Sequence, residues 1–164
     1  TMIKQKGVGL IEVLVSLLVL SVGLLGSASL QTLSLKEGVQ SNFRSRAHMI
    51  SDDVFARMLA NRTTAELGNY SETPLGSVPT PNCHVEACTG AEMATHDLWQ
   101  VVDRLENEAA LPDGAISITF DNVTLAYEIA LTWNDQNTSD SYSAPTCSAT
   151  DNENSGCLFT AMRF

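Results

Sequence analysis

Glu12 is the only ionisable side chain between residues 8 and 30, inside the run Val8–Leu30 (VGLIEVLVSLLVLSVGLLGSASL). An unpaired carboxylate costs about 2.5–3.5 kcal/mol at mid-membrane and less near the edge, so an acid placed there calls for a positive partner. Lys4, Lys6 and Gly7 stand just before the run. Cleavage after Gly7 would remove both lysines and free an α-amino group on Val8, four residues from Glu12 and on the same helix face. In an isolated chain the two charges neutralise each other. In a bundle of such helices the carboxylate takes a neighbour's terminal amine instead, and low dielectric penalises any register that leaves it unpaired. Glu12 then sets axial register.

Cys83, Cys88, Cys147 and Cys157 form the second chemical group. Three pairings are possible. Two local bridges, Cys83 to Cys88 and Cys147 to Cys157, are favoured because each closes a loop in a Pro-, Gly- and Ser-rich stretch. A metal site drawn from Cys83, His84, Glu86 and Cys88 is disfavoured, since no C-x-x-C pair exists and the other cysteines lack a nearby His. Catalysis finds little support: G-x-S-x-G, H-E-x-x-H and a phosphate-binding Gly loop are all missing. His96 and Asp97 are adjacent on a helix and do not face each other, so a solvated helix surface is expected there. Trp99 and Trp133 are expected to pack in the core or on the sheet. The turn Asp151-Asn152-Glu153-Asn154 has too few spaced carboxylates for an EF-hand.

The apolar run is 23 residues long, roughly 34 Å as a helix, enough to cross a hydrocarbon core of about 30 Å. The lysines before it place the N-terminus in the cytoplasm and the chain after Leu30 on the far side, where disulfides persist. A cleaved secretory signal is an alternative, with Gly26-Ser27-Ala28 as a cleavage site, but the run is too long for one and Glu12 is out of place in it.

Gly7-Val8-Gly9-Leu10-Ile11-Glu12-Val13, a basic leader ending in Gly and an apolar stretch with Glu at its fifth position, resembles the class III signal of type IV pilins and pseudopilins. The resemblance implies cleavage between Gly7 and Val8 by prepilin peptidase, N-methylation of Val8, and assembly into a filament through the N-terminal helix. Neither a metal nor another cofactor is implied.

The elements that carry these groups follow from periodicity. Leu35, Val39, Phe43, Ala47, Ile50, Val54 and Met58 recur at steps of three or four, which extends the helix to about Ala60, with Asn61 and Gly68 marking the stop. From Val8 it would span roughly 80 Å. Residues 66–92 read as a loop pinned by a disulfide. A second helix is expected from Glu92 to about Ala110, burying Met93, Leu98, Val102, Leu105 and Ala109. After the Pro112-Asp113-Gly114 turn, Ile116, Ile118 and Phe120 alternate. Beyond a two-residue turn at Asp121-Asn122, so do Val123, Leu125, Tyr127, Ile129, Leu131 and Trp133, giving a β-hairpin with one buried face. A last strand covers Cys157 to Phe164. The fold class expected is α+β and pilin-like: a long N-terminal helix on a small antiparallel sheet, with a second short helix. The divisions expected are a leader over 1–7, a membrane or filament-core helix over 8–30, its amphipathic continuation over 31–62, and a periplasmic head over 63–164.

Residues 66 to 164 carry two basic side chains against fifteen acidic ones, within a net charge of −10 for the whole chain. Such a head repels a phosphate backbone, which excludes nucleic-acid binding by counterion release. Cys83 and Cys88, Met93-Ala94, Asp97-Leu98-Trp99, Leu111-Pro112-Asp113-Gly114 and the helix end Arg57-Met58-Leu59-Ala60-Asn61-Arg62 resemble the pilus-modification minor pilins of the PilV type. That resemblance implies a single-pass inner-membrane protein that joins other minor pilins and the major pilin. Their complex primes fibre assembly, lies at or near the tip, reaches the cell surface in the pilus, and supports adhesion and twitching motility. A minor pseudopilin of type II secretion shares the leader and the long helix and is the main alternative. A singly anchored periplasmic binding domain, which has no use for Glu12, is the second.

Overall fold

The computed structural model describes residues 9–71, 77–107, 111–134, 147–150 and 156–164. It divides into two compact units, Thr1–Val39 and Gln40–Phe164. Helix α1 covers Leu10–Ala60, followed by α2 (Arg62–Ala65), α3 (Gly90–Asn107), and strands β1 (Ala115–Asp121), β2 (Ala126–Thr132) and β3 (Cys157–Arg163). The α+β architecture is therefore the expected one, a long N-terminal helix with a small antiparallel sheet and a shorter helix.

Within the first unit every residue of α1 is exposed, and as far as Leu30 the helix is apolar apart from Glu12 and small hydroxyl side chains. Within the second, its apolar side chains recur at helical spacing, and Ala47, Ile50, Val54 and Met58 are buried. Leu35 and Val39, which continue that stripe toward the N-terminus, are exposed, so burial of the stripe starts near Phe43. α1 stops at Ala60 because Asn61 leaves the helical region (φ −116°, ψ 45°), and the single turn of α2 follows.

The sheet has the order β1-β2-β3, with both pairs antiparallel. Period-two alternation puts Ile118, Tyr127, Ile129, Leu131 and Leu158 into the core, and Ile118 pairs with Ile129 and Leu131 with Leu158. Each such fully buried side chain is worth about 1.5–3 kcal/mol of transfer free energy. Ser51 of α1 meets Thr160 of β3 through their hydroxyls at 2.7 Å, so a polar pair lies between helix and sheet without an orphaned group.

The hairpin turn differs from the two-residue turn expected. Asp121 pairs with Ala126, leaving a four-residue loop, with Val123 and Leu125 exposed and outside the alternation. The Asp121 carboxylate accepts from Val123 N at 2.8 Å and from the Thr124 hydroxyl at 2.8 Å, and Leu125 takes a positive φ of 53°. This Asx-turn competes with strand extension and wins, because it satisfies two donors locally.

α3 begins two residues earlier than expected, and its buried stripe is Ala94, Leu98, Val101 and Leu105, with Met93 and Val102 half-buried. Ala109 lies outside the described residues. A capping box sets the start. The Glu92 carboxylate accepts from Thr89 N at 2.7 Å, while Glu92 N donates to Thr89 Oγ1 at 3.4 Å. Gly90 is required by close approach, since a Cβ there would run into Thr64 Oγ1. Gly68, at φ +83°, packs under the Phe120 ring, 2.7 Å from where a Cβ would stand.

Candidate functional site

The first turn of α1 holds the chemistry of the N-terminal segment. Glu12 N and Val13 N both donate to Gly9 O, at 2.9 and 3.4 Å, so Glu12 lies beside the unsatisfied N–H groups of the helix start. A carboxylate there is favoured by the helix macrodipole, by about 0.3–1 kcal/mol at an exposed site. Glu12 is exposed, as are Leu10, Ile11, Val13, Leu14 and Val15 around it. Gly7 and Val8, the expected cleavage and methylation positions, lie outside the described residues.

α1 contains an 18-residue window long and apolar enough to cross a membrane, none of it buried. Ser16, Ser21, Ser27 and Thr32 return their hydroxyl protons to carbonyls three or four residues earlier, at 2.7–3.1 Å. Their donors are thus satisfied inside the helix, as hydrocarbon surroundings demand. Glu12 is the one ionisable side chain in the stretch from Leu10 to Leu30, and its charge asks for a partner.

In the head, Arg57 is the hub of a polar network that ties α1 to α3. Its Nε donates to Asp53 Oδ2 at 3.2 Å, and Nη1 donates to Asp97 Oδ1 at 2.8 Å and to Gln100 Oε1 at 2.5 Å. Arg104 Nη1 donates to the same Asp53 oxygen at 3.1 Å. The Tyr70 hydroxyl donates to Asp97 Oδ2 at 2.7 Å and accepts from Asn61 Nδ2, which also donates to Gly90 O at 2.7 Å. Tyr70 N in turn donates to the Tyr127 hydroxyl, which donates to Ala65 O at 2.7 Å.

Burial tends to lower the Arg57 pKa, but the Asp97 hydrogen bond and the charges of Asp53 and Asp97 outweigh it, and the net shift is upward. Burial, then the hydrogen bond to Asp97, pushes the Tyr70 hydroxyl well above its ordinary range. The network borders a shallow, open cavity of about 440 Å³ lined by Arg57, Asn61, Thr89, Gly90, Met93 and Asp97. Its charged groups bond one another across α1, α3 and Tyr70, so the arrangement works as a clamp.

The cysteines are joined Cys83–Cys88 and Cys147–Cys157. With both thiols of the first pair in the bridge, His84 and Glu86 have no thiolate to share a metal with, and among the described residues no group of three His, Cys, Asp or Glu is assembled to hold one. His96 corrects the expectation of a solvated surface. It is 2% exposed, packed edge-on against His84 (ring centroids 4.9 Å) and near Trp99 (5.5 Å). Asp97 points to Arg57 and Tyr70 instead of its neighbour His96. Trp133 is buried as expected and Trp99 half-buried. Tyr70, Gln100 and the Arg57–Asp97 pair escape sequence reasoning because their partners lie 27 to 43 residues away and no local pattern marks them.

A prokaryotic N-terminal methylation motif matches residues 2–28. No curated protein and no solved structure matches the chain. The motif spans the stretch in which Glu12 lies, and with the apolar α1 and the small antiparallel sheet it supports a type IV pilin-like protein, a pilin or a pseudopilin. It implies processing by prepilin peptidase and pilus-type assembly, and with the apolar helix it fits a membrane-anchored pilin.

Proposed function

We propose that this chain is a minor pilin of the PilV type that joins other minor pilins in a complex priming type IV pilus assembly, at or near the fibre tip. The observation that carries the reading is Glu12, a lone carboxylate in the first turn of an apolar helix within the methylation motif. Prepilin peptidase cuts between Gly7 and Val8, Val8 is N-methylated, and Glu12 takes the terminal amine of a neighbouring subunit. Before assembly the chain spans the inner membrane once, with residues 8–30 in the bilayer and the head over 63–164 in the periplasm. In the fibre it contacts other minor pilins and the major pilin, and supports adhesion and twitching motility. The residues shared with the pilus-modification pilins, Cys83, Cys88 and the stretch from Met93 to Gly114, favour this over a type II secretion pseudopilin, which has the same kind of leader.

The test is Glu12→Ala in the native host. The variant is expected to be processed and to stay in the membrane, but to vanish from sheared fibres, because α1 keeps its apolar length and loses only the register charge. Incorporation at the wild-type level overturns the role of Glu12. Replacing Gly7 should leave the leader attached, read by intact mass, and normal processing overturns the cleavage site. Loss of exoprotein release with intact pili on deleting the gene would favour the pseudopilin.

A further inference from the structure

Among the described residues, one edge of the sheet is left without a partner. Trp133 N donates to Gly156 O at 2.9 Å and Phe164 N to Leu125 O at 3.4 Å, so the odd-numbered residues of β2 turn their backbone groups to β3 and the even-numbered ones to β1. In the β1–β2 register those even-numbered residues face Ala115, Ser117, Thr119 and Asp121. Ile116, Ile118 and Phe120 therefore point their N–H and C=O groups away from the sheet, and no described group bonds them. A backbone donor is very rarely both buried and unpaired, so this side of β1 is open to water.

Open edges are ordinarily guarded by Lys, Pro, a bulge or an inward-pointing charge. β1 has none of these. Residues 115–120 read AISITF, uncharged and rich in β-branched side chains, and β1 pairs with β2 one-to-one along its whole length without a bulge. The opposite edge differs: β3 is tied through Cys157 to Cys147 and ends on Arg163. Charge then selects what can pair with β1. Residues 66 to 164 hold two basic side chains against fifteen acidic ones, so a second copy of the head would bring like charge to the edge. Asp113 and Asp121 are exposed, one just before β1 and one at its end, and neither joins an ion pair among the described residues. Two carboxylates thus bracket an uncharged strand.

We propose that β1 is an acceptor edge for an extended segment of a second protein, about five residues that alternate apolar and hydroxyl side chains, with Lys or Arg at both ends. Running antiparallel, the segment exchanges main-chain bonds with Ile116, Ile118 and Phe120 and lays its apolar side chains on the same face as theirs. Its hydroxyl side chains then stand beside Ser117 and Thr119, and its terminal cations meet Asp121 and Asp113. The surface belongs to the head and is independent of the role of Glu12.

The experiment uses the full chain in detergent micelles and the N-acetylated, C-amidated heptapeptide KVTVTVK as probe. In the free chain the amides of Ile116, Ile118 and Phe120 should exchange at near-intrinsic rates, while those of Ser117 and Thr119, bonded to β2, are protected. With the peptide at about ten times its Kd, exchange at the first three should slow about tenfold, with the α1 core amides unchanged. The same peptide N-methylated at its valines, which puts a methyl group in place of each donor that faces the edge, should leave them fast, and so should EVTVTVE. Protection of all three amides in the free chain, meaning that a second copy or the chain itself already covers the edge, overturns the proposal. So does the absence of slowing up to about 1 mM KVTVTVK, or equal slowing by either control peptide.

Discussion

Tyr70→Phe isolates the hydroxyl that joins the chain after α2 to the α1–α3 clamp. The ring is fully buried and is kept by Phe, so no cavity forms and the change removes one O–H. That hydroxyl donates to an ionised carboxylate at 2.7 Å, with Asp97 only 13% exposed at its side chain, a hydrogen bond worth about 1.5–3 kcal/mol. Asn61 Nδ2 loses its longer contact to the hydroxyl at 3.3 Å but keeps Gly90 O at 2.7 Å, and Asp97 keeps Arg57 at 2.8 Å. No charge is left bare, so the loss stays near about 2 kcal/mol, short of the 3–5 kcal/mol of breaking a buried ion pair. For a head of this size that lowers Tm by roughly 6–12 °C. Near-UV circular dichroism of the full chain in mild detergent reads the transition through Trp99 and Trp133. A second series, Asp97→Ala alone and with Tyr70→Phe, should give a coupling of about 1–2 kcal/mol. A Tyr70→Phe midpoint within 1 °C of wild type would falsify the view that this hydroxyl bond holds the clamp together.

The same residues make the head sensitive to alkali. Burial raises the pKa of both Tyr70 and Tyr127, so the folded state favours their protonated forms; stability is whole below about pH 10 and lost above it, by up to about 1.4 kcal/mol per pH unit per tyrosine. Residues 66 to 164 contain no lysine to share that window, so a melting midpoint flat from pH 9.5 to 11 counts against the assignment. Gly90→Ala should destabilise by about 1–3 kcal/mol in the same assay, because the new Cβ meets Thr64 Oγ1 at the junction of α2 and α3 and overpacked sites must shift backbone. A neutral Gly90→Ala would mean that the junction yields freely.

The N-terminal half was legible from residue order alone. An unbroken apolar run, one carboxylate and a stop at Asn61 define α1 through local spacing, since helical hydrogen bonds and faces repeat within four residues. Strand alternation from Tyr127 to Leu131 was equally readable, because side-chain direction has a period of two. The hairpin end was misjudged where local side-chain bonding by Asp121 overrides alternation, leaving Val123 and Leu125 exposed.

What residue order could not show is which polar groups meet across the fold. Helical spacing placed the start of α3 to within two residues and found Leu98 and Leu105, but named Met93 and Val102 where Ala94 and Val101 are buried, since which side chains at a stripe's margins go inside depends on what packs against them. His96, two residues from both Ala94 and Leu98 and so on the far side of α3 from that stripe, is buried against His84, and Asp97 is aimed at Arg57 and Tyr70. Periodicity reports the axis of a helix and the width of its apolar stripe. Only packing decides which polar side chains outside the stripe are carried inside, where each must find a partner at hydrogen-bond distance or stay neutral.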